Sequence, residues 1–203
     1  MKKIKFKSLI IKENKNYIAI NKPNNFVLKK NLKDYNTIKN LKILFNKNFN
    51  FFNNLYKEIS GIIIISKNEK FYQKLQNQLI NKKITKNYHI ILKGIYNFKK
   101  KNKLKYNNIV FKTKKIFLNY TLISIKIADN KKHNTEKKIL NNLLLKKIYK
   151  RKTKPLNKNI IHLHSVKFKN LNDKRIIIKA PYLKNFGILY KYLLRYNYYN
   201  FKK

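Results

Sequence analysis

"NNLYKEISGIIIISK", residues 53–67, is the stretch on which the fold turns. Ile62 to Ile65 form a continuous β-branched run behind Gly61. A strand with one wet face alternates apolar and polar residues, so an unbroken run predicts a strand buried on both faces. The run is strand-sized and far short of the ~18 residues of a membrane span. Behind it, Ser66 to Glu69 reads S-x-x-E, the pattern of a capping box. The helix it predicts, over 68–80, carries Phe71, Tyr72, Leu75, Leu79 and Ile80 on one face.

Working outward from this segment, "YIAINKP" (17–23) predicts a short strand ended by Pro23. "TIKNLKILF" (37–45) has Ile38, Leu41 and Leu44 at helical spacing. "ITKNYHIILKG" (84–94) predicts a strand stopping at Gly94, and a lysine–asparagine loop follows over 97–108. "NYTLISIKIA" (119–128) alternates through Ile123, Ile125 and Ile127, which predicts a half-buried strand. "TEKKILNNLLLKKIYK" (135–150) predicts a helix, and "RKTKPLNKN" (151–159) a basic loop. "IIHLHSVKF" and "KRIIIKAP" predict a hairpin around "NLND", and a last helix starts near Asn185, burying Phe186, Leu189, Tyr190 and Leu193. The class is α+β, a mixed and mostly antiparallel sheet with flanking helices.

The chain has 203 residues, 43% of them hydrophobic, with Tyr 15 and Phe 13, enough for the core of one domain. It has no cysteine, which excludes disulfides and thiolate metal sites. The basic N-terminus lacks the long apolar stretch and small-residue cleavage site of a signal peptide, so a cytoplasmic location is expected. The formal net charge is +44. Such a charge attracts polyanions, nucleic acid above all. Abundant Lys, Asn and Ile with scarce Gly, Pro, Ala and Arg also fit the bias of an AT-rich genome. Arg151, Arg175 and Arg195 are the only arginines, too few for a surface built on bidentate phosphate grips.

In order and spacing, these pieces resemble the RluA-type (RluA/RsuA-like) RNA pseudouridine synthases, from about Leu9 to Leu194. "LIIKENKNYIAINKPNNFV" is similar to the family's opening strand pair, which ends in Asn-Lys-Pro, a small residue and Gly; Asn25 replaces that Gly. "NNLYKEISG" resembles the family's His-Arg-Leu-Asp-Lys-x-Thr-Ser-Gly motif, with Leu55, Lys57, Ser60 and Gly61 matching. "QLINKKITKNYHIILKG" places Lys86, Tyr88 and Gly94 in register, and the separation of Tyr88 from Tyr56 suits that between nucleophile and stacking tyrosine. "DNKKHN" (129–134) echoes Gly-Arg-Thr-His-Gln, with Lys131 for Arg and Asn134 for Gln. "HLHSVKF" followed by "IKAP" resembles the closing Leu-His-Ala hairpin. The resemblance implies the pseudouridine synthase catalytic-domain fold with a central cleft. It implies a single domain over residues 1–203 with no S4-type domain, and isomerisation of uridine to pseudouridine in ribosomal or transfer RNA. A monomer, with no metal or organic cofactor and no membrane contact, is expected.

That reaction breaks the bond from ribose to uracil N1 and rebuilds it at C5, on a uridine taken out of its stack. It needs a carboxylate at the sugar. By the resemblance Tyr56 stands at the nucleophile's position, Asn54 replaces an Arg, and Asn53 a His. An ordinary phenol, with a pKa of ~10, is neutral at pH 7 and a weak nucleophile unless a base activates it. Glu136 falls where the family places a second Arg. Asn54, Lys57, Lys86, Tyr88, Lys131 and His133 remain as RNA- or base-contacting candidates. Tyr88 has two readings, a stacking floor for the base or an inward-facing strand aromatic.

Of the 7 acids, Glu58 fills a position where the family often carries one, Glu69 caps a helix, and Asp173 lies in a turn. Glu13 belongs to the opening strand pair and Asp34 to an unassigned loop. Asp129 and Glu136, flanking His133, are left as relocated carboxylates. His89 reads as an exposed strand residue. His162 and His164 share one strand face at a spacing that can ligate metal, but with no third ligand they read as ordinary strand histidines. Three functions follow: an isomerase with an unusual site, a non-catalytic RNA-binding or ribosome-associated protein, or a decaying gene product. The regular apolar periodicity argues against the last.

Overall fold

A computed structural model describes residues 6–24, 26, 50–53, 55–97, 105–106, 109–128 and 160–200. A 3-10 turn over Phe6–Leu9 leads into β1 (Ile10–Glu13) and β2 (Tyr17–Lys22). Then come β3 (Asn50–Phe51), β4 (Ile59–Ser66), helix α1 (Glu69–Ile80) and β5 (Thr85–Lys93). The remaining elements are β6 (Lys105–Tyr106), β7 (Ile109–Ile116), β8 (Tyr120–Ala128), β9 (Ile160–Lys169), β10 (Arg175–Lys179) and helix α2 (Lys184–Asn200). The expected helices over 37–45 and 135–150, the 151–159 loop and the 129–134 motif lie outside the described residues.

One sheet holds all the strands among the described residues, in the order β1-β2-β4-β9-β5-β8-β7-β6, with β3 added to β4 and β10 to β9. Every pairing is antiparallel except β4 with β9. β4 is buried along its whole length between β2 and β9, as its β-branched run requires. β5 alternates between faces. Tyr88, Ile90 and Leu92 join the main core, whereas Ile91 joins a second core with Phe117, Leu122, Phe186 and Leu193. α1 packs on the main core, where Phe71 stacks on Tyr17 at 5.3 Å and meets Phe168 edge-on at 6.0 Å. α2 covers the other face through Phe186, 5.7 Å from the His162 ring.

Three expectations need correction. Ser66 does not cap α1: Asn68 does, its side chain accepting the Phe71 N–H at 2.8 Å, while the Ser66 hydroxyl donates to the Asn68 carbonyl. Asn is as good a cap as Ser, and position 68 is the one adjoining the first helical turn. β8 is not half-buried: Thr121 to Ile125 are buried without a break, because α2 covers the face that alternation assigned to water. Lys105–Tyr106 of the expected loop are instead a strand paired with β7, whose apolar Ile109 and Phe111 are masked in the sequence by Lys112, Lys114 and Lys115.

Candidate active site

Residues 50–53 run beside β4 and then turn back into it. Phe52 N–H donates to the Ile64 carbonyl at 2.9 Å. The buried Asn53 side chain continues the pairing, donating to the Ile62 carbonyl and accepting from Ile64 N–H, both at 2.9 Å. Leu55 anchors the start of the turn in the core, and Ile59 N–H closes it on the Tyr56 carbonyl at 3.1 Å. This leaves Tyr56, Lys57 and Glu58 exposed at its rim, Tyr56 by 36%.

Lys22 underlies the turn. It ends β2 with 0% exposure, and its Nζ donates to the carbonyls of Pro23 at 3.1 Å, Phe26 at 3.0 Å and Lys57 at 3.4 Å. Burial pushes its pKa from 10.5 down to about 7, opposed by the nearby Glu58 carboxylate. The sequence marks this lysine as the middle residue of the Asn-Lys-Pro that ends the opening strand pair, with no sign that it is buried.

The strand registers assemble a row across the sheet: Lys22, Gly61, Leu163, Tyr88, Ile125, Phe111. Gly61 and Tyr88 are thus two strands apart, roughly 10 Å at ordinary spacing. Gly61 has φ +120°, which favours glycine, and its pairing with Leu163 leaves no room for a side chain. The Tyr88 ring is fully buried in the main core, so a base meets it only after neighbouring side chains move. Lys86, on the same face, is buried too. Lys57 is exposed beside Tyr56. Asn54, Lys131 and His133, with Asp129 and Glu136, lie outside the described residues.

A histidine cluster lies on the other face. His89, expected to be exposed, is buried at 4% because Tyr182, leading into α2, closes over it with its hydroxyl 2.7 Å from Nδ1. His164 stacks on His89 at 4.2 Å, and its Nδ1 is 3.0 Å from the Ala180 carbonyl. His162 Nδ1 is 2.9 Å from Ser60 Oγ, tying β9 to the segment just behind the Tyr56 turn. Burial lowers the pKa of His89 to about 3 and of His162 to about 4, so both are neutral at pH 7. Tyr182 is pushed up to about 12 by burial and remains a phenol. Among the described residues no group of three or more His, Cys, Asp or Glu is arranged to hold a metal ion. No helix there is long and apolar enough to cross a membrane.

A family model described as RNA pseudouridylate synthase matches residues 16–178. The ribosomal large subunit pseudouridine synthase C of Buchnera aphidicola (subsp. Baizongia pistaciae) is 27% identical over 212 aligned positions, which take in 87% of this chain and 67% of that protein. Two solved human structures, RNA pseudouridylate synthase domain containing 4 and domain containing 1, share the fold. Their TM-scores are 0.62 and 0.61, at 14% and 13% identity, over 90% and 95% of this chain and 91% and 97% of theirs. The matched span takes in Lys22, the Tyr56 turn, Gly61, Tyr88 and His162, and with it this chain belongs to the RNA pseudouridylate synthase family.

Proposed function

We propose that this protein binds structured RNA as its family does, and that it does not isomerise uridine, or does so only weakly. Tyr56 carries the reading. It stands at the rim of the turn where the family's carboxylate belongs by resemblance, on a backbone held by Asn53, Lys22 and Gly61. A phenol needs a base to become a useful nucleophile. Three of the four described acids are engaged away from the turn: Glu13 with Lys67, Glu69 with Asn50 and Gln73, and Asp173 with Lys74. Glu58 is in the turn itself, where its charge acts on Lys22. Lys57 at the rim, and Asn54, Lys86, Lys131 and His133, are the RNA-contacting candidates, and Tyr88 is the candidate stacking floor. The name of the Buchnera relative makes large-subunit ribosomal RNA the first substrate to test.

The test is to incubate the purified protein with ribosomal and transfer RNA and map pseudouridine by a chemical probe. No signal above background is expected. Pseudouridine that disappears in Tyr56→Phe would make the tyrosine a catalyst and overturn the proposal. Pseudouridine that survives Tyr56→Phe but is lost in Asp129→Asn or Glu136→Gln would reveal a relocated carboxylate, and overturn it equally. Activity gained by the Tyr56→Asp, Asn54→Arg double variant would support it.

A further inference from the structure

α2 presents two different faces. Inward, Phe186 and Leu193 fill the second core. Outward runs a stripe of Ile188, Tyr192 and Tyr196, one turn apart and exposed by 58%, 59% and 46%. Tyr192 and Tyr196 stack on each other, with centroids 5.9 Å apart and planes within 19°. The exposed Lys184, Lys191 and Arg195 flank the stripe, and α2 contains no acid. The same sheet face continues beside the helix. Leu122, under α2, and Ser124, bonded to Asn87, fix the side of β8 on which the exposed Lys126 lies. Lys112 pairs with Ser124, and Lys114 is near enough to His89 and His164 to depress both their pKa values. β5, β7 and β8 contain no acid either. Tyr88 and Gly61 belong to the opposite face.

We infer that this outer face of α2, with the lysines of β7 and β8 beside it, is a second RNA-binding surface that holds an unpaired strand. Paired, near-parallel tyrosine rings form a platform on which a base extends the stack, while flanking cations follow the phosphates. A buried helix face has no use for exposed Tyr and Ile, and a surface used only for charge has no use for aromatic rings. A partner both aromatic and polyanionic satisfies both halves of the stripe. The surface holds the strand flanking a site engaged on the other face, and so rests on the RNA-binding reading above.

The protein lacks tryptophan, so Tyr192→Trp installs a single reporter in the platform. Its emission should be strongly quenched by a single-stranded pyrimidine RNA dodecamer. Emission from an Ile80→Trp variant, on exposed α1 surface, should not change. Tyr192→Ala with Tyr196→Ala should weaken binding of that strand about tenfold or more and duplex RNA little, with Phe at both positions near wild type. Wild-type binding of the strand, with no quenching in Tyr192→Trp and no loss in the double alanine variant, would overturn the inference and leave the RNA-binding reading standing. Equal quenching by heparin, or a blue shift on anionic phospholipid vesicles without quenching by RNA, would also overturn it. Failure of the wild type to bind any RNA would end both.

Discussion

Gly61 and Leu163 pair across the β4–β9 junction so closely that a Cβ on Gly61 would lie 2.3 Å from the Leu163 carbonyl oxygen. The contact is with backbone, which cannot swing away as a flexible side chain does. Gly61→Ala meets that clash and the strain of φ +120° together. It should destabilise the protein by ~2–6 kcal/mol. Urea unfolding measures it, and a loss under 1 kcal/mol, as a rough bound on ordinary surface effects, would show that the parallel pairing is looser than described.

Two substitutions, one in α1 and one just past its end, should have opposite signs. Leu75 is fully buried, so Leu75→Ala should lose ~2–5 kcal/mol. Lys82 ends the helix at φ 55°, with Lys83 N–H on the Gln78 carbonyl and Lys82 N–H on that of Leu79, a Schellman closure normally built on glycine. A chain with 3 glycines uses lysine there instead. Lys82→Gly should raise stability by about 1 kcal/mol, read as a higher urea midpoint at unchanged slope.

Mild acid should destabilise the protein through its buried histidines. His89 and His162 protonate near 6.5 when unfolded but near about 3 and about 4 in the fold. Below 6.5 the unfolded chain therefore binds more protons, and stability falls as the pH falls. On the acid side, the urea midpoint should decline from roughly pH 6.5 toward pH 5. His162→Asn should flatten the decline; an unchanged slope would place the acid sensitivity elsewhere.

Lys22 opens a second, alkaline window. Its folded pKa of about 7 lies below its ordinary 10.5, so the unfolded chain holds the extra proton between these values and stability rises with pH. The rise should be visible from pH 7 to roughly 9.5, before ordinary tyrosines begin to ionise near ~10. Lys22→Met should abolish it. A wild-type midpoint flat over this range would mean that Lys22 is more hydrated than its burial implies.

RNA affinity should depend steeply on salt. Lysine point charges release counterions on binding, which gives a log–log slope of about −0.7 to −0.9 per contacted phosphate. Filter binding between 50 and 200 mM salt, roughly the range over which such contacts are lost, checks it. Constant affinity would contradict phosphate-dominated binding.

Local composition was enough to read β4, α1 and the β9–β10 hairpin. Four consecutive isoleucines exclude a wet face, the Phe71–Leu75–Leu79 stripe has one period, and "NLND" leaves little but a turn. Tyr56 at the motif position where the family carries its carboxylate was legible as an expectation from resemblance, because a motif is read residue by residue. β7 was not, since its lysines face water on one side only and hide the period. Nor was the cover over β8, which depends on a helix far along the chain. The sequence alone thus determined the strands and helices whose apolar period is unbroken, and its resemblance to the family puts Tyr56 at the nucleophile's place. Only the tertiary structure decided what each residue faces. Pairing β4 with β9 puts Ser60 against His162 and Gly61 in one row with Tyr88, and closing the turn over Lys22 buries a lysine that solvent would otherwise keep charged. Those contacts join residues remote in sequence, and desolvation and strand register arise only when such partners meet.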